Sequence, residues 1–356
     1  MNSSAYLLAG ADGTTGHAMA APEELVQLAS KVGTNRMLVQ GAGGNVSLKA
    51  NSVLWVKASG KWMSSAREEP CFAAVYLEGV RHRIQARESD PATPEVLPFS
   101  PPGLRPSIET SLHALLPQRI VLHVHSVNAI ALSVCVDALP ELERRLHGLQ
   151  WTWVPYVRPG TELTDAVAEA LQRRPAEVLV LANHGLVVTG ARREEVERLL
   201  EEVERRLATP RRSACAPDLL ALEKAAADTP YLAAADAELH AMAIDERLCA
   251  LAVGGSLYPD HVVFLGSGMP VVERGRHVAS LLDSCREAGL RAPPVVLVPH
   301  AGVLLHREIS RGALAMAECL ALVLAGIPAD RPVRYLSREQ DEALLNWEAE
   351  KYRQTL

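Results

Sequence analysis

Apolar positions recur along this chain with two periods, one close to 3.6 residues and one of 2. After Pro22 and the acids Glu23 and Glu24, the residues Leu25, Leu28 and Ala29 fall on one face, which predicts a first helix over 22–30. Val53-Leu-Trp-Val-Lys57 predicts a strand, and Phe72–Leu77 followed by Val80–Ile84 across Glu78-Gly79 predicts a hairpin. Ser107 is placed to cap a two-turn helix that Pro117 closes, with Ile108, Leu112 and Leu115 inward and Glu109 in its first turn. The apolar run Val121–His125 predicts a strand and Ile130–Val134 a helix. Trp151–Val157 is extended in pattern, a helix follows from Thr164 with Val167 and Leu171 on one face, and Val178–Leu181 is a strand. Glu194–Leu207 reads as a surface helix, with Val196, Leu199, Leu200, Val203 and Leu207 inward and the pairs Glu201/Arg205 and Glu202/Arg206 outward at i,i+4. This alternation of strands and helices predicts an α/β layered domain.

Further on, the composition breaks at Thr209–Pro217, which sets a linker over 209–228 between a domain at 23–208 and a smaller α/β unit at 229–356. In that unit 261–265 and 294–298 are expected as strands and 310–325 and 337–353 as helices, with Ser337 and Gln340 forming a capping box. Residues 1–22 carry no Lys or Arg and no sustained apolar centre, so a flexible tail is expected there rather than a secretory signal. The greasiest stretch, Ala313–Ala325, is short of a membrane span and contains Glu318. The Pro- and acid-rich loop at 87–106 is long for the interior of a domain and is expected to border a site.

A chain of 356 residues with net charge −6 and no long basic run argues against a nucleic-acid partner. The six scattered cysteines, with no Cys-x-x-Cys pair, suit a reducing, cytoplasmic setting. Neither Gly254-Gly255 nor Gly266-Ser-Gly268 meets a dinucleotide fingerprint.

Candidate chemistry centres on His123 and His125. Alternate residues of a strand share a face, so both imidazoles point the same way. By itself His-x-His suits two buried, hydrogen-bonded histidines as well as a metal. Glu109 upstream and Asn183-His184-Gly185 downstream can converge with them at strand ends, and three imidazoles with an open position are a recurrent composition for catalytic zinc. The glycines of Gly41-Ala-Gly-Gly44 permit close backbone approach beside Asn45 and Ser47, and Ser59, Gly60 and Lys61 bring a hydroxyl, amides and a cation together, a combination suited to phosphate. A helix-dipole role for Glu109 and a solvated surface position for Lys61 are the ordinary alternatives. His113, one turn beyond Glu109, is assigned a packing or supporting role, and His261, His300 and His306 structural ones.

In order along the chain, Gly41-Ala-Gly-Gly-Asn45-Val-Ser47, Lys57-Ala-Ser59-Gly60-Lys61, Ser107-Ile-Glu109, His123-Val-His125 and Asn183-His184-Gly185 resemble the class II aldolase/adducin family across roughly residues 23–207. The resemblance implies an α/β/α sandwich around a mixed sheet, with His123, His125 and His184 holding a divalent metal, zinc foremost. Asn45, Ser59, Gly60 and Ser107 would then bind a substrate phosphate, with Lys61 assisting. Ile108 departs from the pattern, since relatives acting on sugar phosphates often carry a second serine there. Glu109 is implied as the catalytic proton carrier, provided that burial raises its pKa, and the activity as carbon–carbon cleavage or formation in a small ketose phosphate or hydroxyketo acid through a stabilised enediolate. Epimerase, decarboxylase and dehydratase activities, or a non-catalytic adducin-like module, are the alternatives within the family. The resemblance further implies a homo-oligomer, usually a tetramer, with a tyrosine from a neighbouring subunit in the site; Tyr156 and Tyr258 are the candidates here. Tyr258-Pro-Asp-His261 resembles a stretch beyond the aldolase portion of longer relatives fused to a dehydrogenase, which this sequence does not carry.

Overall fold

Seven short strands alternate apolar side chains between two faces, and helices cover both. The computed structural model describes residues 19–211 and 216–346. Residues 1–18 of the tail expected over 1–22, Cys215, and residues 347–353 of the expected last helix lie outside the described residues. The strands are β1 (Asn45–Ala50), β2 (Val53–Lys57), β3 (Phe72–Tyr76), β4 (Ile120–Val124), β5 (Trp151–Val154), β6 (Val178–Leu181) and β7 (Gly185–Gly190). They lie in the order β3-β2-β1-β4-β7-β6-β5, and every neighbouring pair is antiparallel except β5 with β6. The sheet is therefore mixed, as expected.

Period-2 alternation assigns the faces. Val46 and Leu48, Ile120, Leu122 and Val124, and Leu186 and Val188 point to one side. There they meet the helices Glu23–Gly33, Val127–Ser133 and Arg193–Leu207 through Leu25, Ile130, Val196 and Val203. Val121, Val154, Leu179 and Val187 point to the other side, under Leu112 of the helix Thr110–Leu115 and Val167 of the helix Thr161–Arg173. Leu54, Val56 and Val75 extend that second face beneath the helix Leu77–Gln85.

Beyond residue 216 the chain forms a three-stranded antiparallel sheet of β8 (Tyr231–Ala233), β9 (Val295–Val298) and β10 (Gly302–His306), in the order β8-β10-β9. The helix Arg311–Gly326 buries Met316, Leu320 and Leu324 in the same apolar cluster as Ile130 and Leu132. One core thus runs from the large sheet into the C-terminal half.

Several local expectations change. Val80–Ile84 is helical, because Leu77, Val80 and Ile84 recur at helical spacing and pack against Val75. Residues 261–265 form the helix Pro259–Leu265 instead of a strand; a five-residue apolar run carries no clear period, and Pro259 at its first position favours a helical start. Part of the expected linker is the helix Leu219–Ala226, capped by Asp218, whose side chain accepts from the Ala221 amide. Glu109 stands at the N-cap position of Thr110–Leu115, one residue outside it, while the Ser107 hydroxyl accepts from the Glu109 amide at 3.2 Å. The capping box of Ser337 and Gln340 forms at the helix Arg338–Leu345. No helix among the described residues is long and apolar enough to cross a membrane.

The turn from β6 into β7 is closely packed against β4. Gly185 has φ +155°, and a Cβ there would sit 2.2 Å from the Val124 carbonyl oxygen. That oxygen belongs to the central strand β4 and has little room to retreat. Gly185→Ala is therefore expected to destabilise the protein by about 3 kcal/mol, read as a lower urea midpoint; a wild-type midpoint would contradict this packing.

Candidate metal centre

Strand register gathers the polar side chains. Asn45 of β1 lies opposite His123 of β4, and Ser47 opposite Val121. Odd-numbered residues of both strands thus share the face covered by Thr110–Leu115, at whose start Glu109 sits. His125 follows two residues after His123 on the same side. His184 comes from the β6–β7 turn, where Asn183 adopts the left-handed conformation (φ +53°) and its side-chain amide donates to the carbonyls of Leu257 (2.8 Å) and Arg334 (3.0 Å).

The three imidazoles surround a common point, with ring centroids 4.8–5.0 Å apart and candidate ligand nitrogens within 4.8 Å of one another. All three are buried. His123 donates its Nδ1 proton to the Leu186 carbonyl (2.9 Å), so in the neutral ring Nε2 carries the lone pair. Glu109 approaches from the side, Oε2 lying 3.6 Å from His123 Nε2 and Oε1 3.8 Å from His184 Nε2. Among the described residues, His123 Nε2, His184 Nδ1 and Glu109 Oε1 are buried without a hydrogen-bond partner. Such orphaned acceptors are costly unless a cation or ligand satisfies them, and a three-histidine donor set suits a divalent metal.

A chain of polar contacts holds Glu109. His113, fully buried, contacts Asn45 Oδ1 through Nε2 and Ser47 Oγ through Nδ1 (2.7 Å). With Nε2 donating to the amide oxygen, Nδ1 accepts from the serine hydroxyl. Asn45 is thereby oriented to donate Nδ2 to Glu109 Oε2 at 2.7 Å, with a longer contact of 3.3 Å to Ser107 Oγ. The supporting role expected for His113 is this one.

The site opens into a narrow cleft whose wall includes Asn45, Ser59, Gly60, Ser107, Ile108, Glu109, His125 and His184. Lys61 does not line it; its ammonium pairs with Glu69 at 2.6 Å. The cationic side chain on the cleft wall is Lys57, a buried residue whose Nζ donates to the carbonyls of Ala42 (2.9 Å) and Lys61 (2.7 Å). A lysine closing an otherwise apolar strand was the available signal. Asp260 also lines the cleft, 3.0 Å from His125 Nδ1, at a position that no local sequence pattern marks. Neither Tyr156 nor Tyr258 lines it: Tyr156 packs beside Val262 and Val263, and Tyr258 is buried next to Cys319.

Ionisation differs from expectation. Burial opposes the Glu109 charge, but the rings of His123, His184 and His125, which act on it once they are protonated in acid, and the Asn45 amide outweigh it and bring the carboxyl down to about 2. Glu109 is accordingly a carboxylate at neutral pH, placed to accept a proton. Burial pushes His113 and His184 down to about 3 and lowers His123, which keeps these rings neutral, the form that binds metal. His261 is likewise pushed down to about 3 by burial.

Stability should follow these shifts. The unfolded chain protonates its histidines near their ordinary value of 6.5, while His113, His184 and His261 stay neutral in the fold until about 3. Stability from the three is whole above 6.5 and is lost progressively as pH falls through that window, each costing about 2 kcal/mol at pH 5. Glu109 adds a loss only below the ordinary carboxyl value of 4.5. Urea midpoints of chelator-treated protein should therefore fall between pH 7.5 and pH 5; equal midpoints would contradict neutral burial of these rings.

Residues 23–209 match the family model described as Class II Aldolase and Adducin N-terminal domain. The chain is 34% identical over 183 residues to a Bacillus subtilis (strain 168) protein named Uncharacterized oxidoreductase YuxG, a match covering 47% of this chain and 26% of that protein. It is 30% identical over 182 residues to Methylthioribulose-1-phosphate dehydratase of Enterobacter sp. (strain 638), covering 46% of this chain and 80% of that one. The chain thus spans about a quarter of the first relative and most of the second. Among solved structures, the N-terminal Class II Aldolase domain of a conserved protein from Thermoplasma acidophilum is similar at 21% identity and a TM-score of 0.45, covering 55% of this chain and 97% of that domain. With the family model matched over more than half of its length, this chain belongs to the class II aldolase/adducin family.

Proposed function

We propose that the protein is a metal-dependent lyase of the aldolase type, acting on a small ketose phosphate or related hydroxyketone. The observation that carries this reading is the convergence of three buried imidazoles and a glutamate beside one cleft. His123, His125 and His184 would hold the ion, with zinc proposed from the all-imidazole donor set. When bound, a divalent ion supplies Lewis acidity toward negative charge on the substrate oxygens.

The chain's own residues do the rest. Glu109, kept ionised and held by Asn45, takes the proton from the carbon beside the carbonyl in the synthetic direction and returns it in cleavage. Asn45, Ser59, Gly60 and Ser107 provide polar groups along the same wall for an anionic substrate group, and Lys57 provides the positive charge there. Ile108 on this wall offers an apolar contact where a further hydroxyl would otherwise bind.

A second reading, dehydration, is supported by the relative named as a dehydratase. In it Glu109 takes the proton from the carbon beside the carbonyl, as in the synthetic direction of an aldolase. It returns that proton to the hydroxyl that leaves the next carbon as water, so that no carbon–carbon bond breaks or forms. Incubating metal-loaded protein with a panel of ketose phosphates separates the two, since cleavage releases an aldehyde and dehydration leaves the carbon skeleton whole.

Two outcomes are expected. Elemental analysis should find one divalent metal per chain, lost in folded His123→Ala and His125→Ala variants; full retention in both would remove the site from these residues. Glu109→Gln should keep metal and fold while lowering turnover by about 10²–10⁴-fold, because the amide preserves shape but cannot accept the proton. Unchanged turnover would assign the proton transfer elsewhere.

A further inference from the structure

The family model ends at residue 209, yet one carboxylate of the histidine cluster comes from far beyond it. Asp260 Oδ2 lies 3.0 Å from His125 Nδ1, and the two side chains are only 2% and 7% exposed. At the opposite side of the ring, His125 Nε2 accepts a long contact of 3.4 Å from the Gly44 amide. Both contacts specify one tautomer: Nδ1 carries the proton and gives it to the carboxylate, and Nε2 carries the lone pair. His123 reaches the same tautomer with a backbone carbonyl; His125 does so with a buried carboxylate, which orients the ring.

The position of Asp260 is built rather than incidental. It stands in the first turn of Pro259–Leu265, whose Val262 and Val263 pack with Leu336 and Leu344. The segment entering that helix is fixed on both sides: Asn183, the residue before His184, donates to the carbonyl of Leu257, and Ser256 donates to Asp341 at 2.6 Å. The Leu257 amide in turn donates to His261 Nδ1 at 3.2 Å. On the N-terminal side, Gly43 leaves room for the pair, because a Cβ there would come within 2.8 Å of His125 Nδ1 and 3.1 Å of Asp260 Oδ2.

We infer that Asp260 is a positioning residue for His125, so that the metal centre of the N-terminal domain is completed by the C-terminal half of the same chain. This rests on the proposal that the three histidines hold a metal. In the unloaded protein, Asp260 selects the His125 tautomer before any ion arrives. In the loaded protein it strengthens the His125 ligand.

Cobalt(II) titration of chelator-treated full-length protein, followed by the visible d–d absorption and by competition with a chelator, tests this directly. Asp260→Asn should weaken cobalt binding by about 10–100-fold and shift the d–d bands, while Asp260→Glu recovers part of both. Wild-type affinity and spectrum in Asp260→Asn, alongside loss of binding in His125→Ala, would overturn the role of Asp260 and leave the metal site standing. Failure of the wild type itself to bind cobalt would overturn the metal reading and this inference together. Nitrogen-15 NMR of the metal-free wild type gives a readout independent of how the variants fold: His125 should show the Nδ1–H tautomer, and the Nε2–H form would refute the assignment.

Discussion

Three imidazoles and a carboxylate sit beneath helices on a largely apolar sheet face, and the rest of the site is arranged to make that burial tolerable. Buried polar groups without partners cost roughly 1–3 kcal/mol each. The chain answers with directed contacts: Ser47 to His113, His113 to Asn45, Asn45 to Glu109, and His123 to the Leu186 carbonyl. These contacts exist because β1 and β4 pair in the register Asn45↔His123. A one-residue slip would turn Asn45 and Ser47 into the apolar cluster on the other face. Register is thus at once the condition for a dry core and for a competent site.

The atoms left over from this network are informative for the same reason. His123 Nε2, His184 Nδ1 and Glu109 Oε1 are buried without partners among the described residues, whereas nearby polar groups of equal burial, such as His113 and Asn45, are doubly engaged. A fold that satisfies the surrounding groups and leaves atoms of the histidine cluster unpaired has the character of a binding site. The cleft beside it holds charges of both signs, Lys57 on one part of the wall and Glu109 and Asp260 on another. Such a distribution suits a ligand with an anionic end and a proton to lose.

The C-terminal half is structurally continuous with this centre. Its helix Arg311–Gly326 shares a core with Val127–Ser133, the helix that begins directly after His125 and Ser126. Asn183 links the turn bearing His184 to Leu257 and Arg334. Two of the three histidines therefore lie next to residues whose conformation depends on chain beyond residue 216.

From the sequence alone, the strands with sustained alternation, the helix over 194–207, the mixed α/β architecture and the grouping of His123, His125, His184 and Glu109 were legible, because each rests on local periodicity or on an ordered set of motifs. Short apolar runs were not: 80–84 and 261–265 became helices once packing against Val75 and Leu336 set their faces, a choice that five residues do not encode locally. The identity of the cationic wall residue was likewise a tertiary matter, since Lys57 and Lys61 are four positions apart and only the turn between them sends one to the cleft and the other to Glu69. The ionisation of Glu109 reversed for a related reason: burial alone raises a carboxyl, and only the spatial gathering of three imidazoles and an amide brings it down. Asp260 lies 135 positions from His125 in the sequence, and no local pattern encodes a contact over that distance; it is fixed by the packing of two halves around one core.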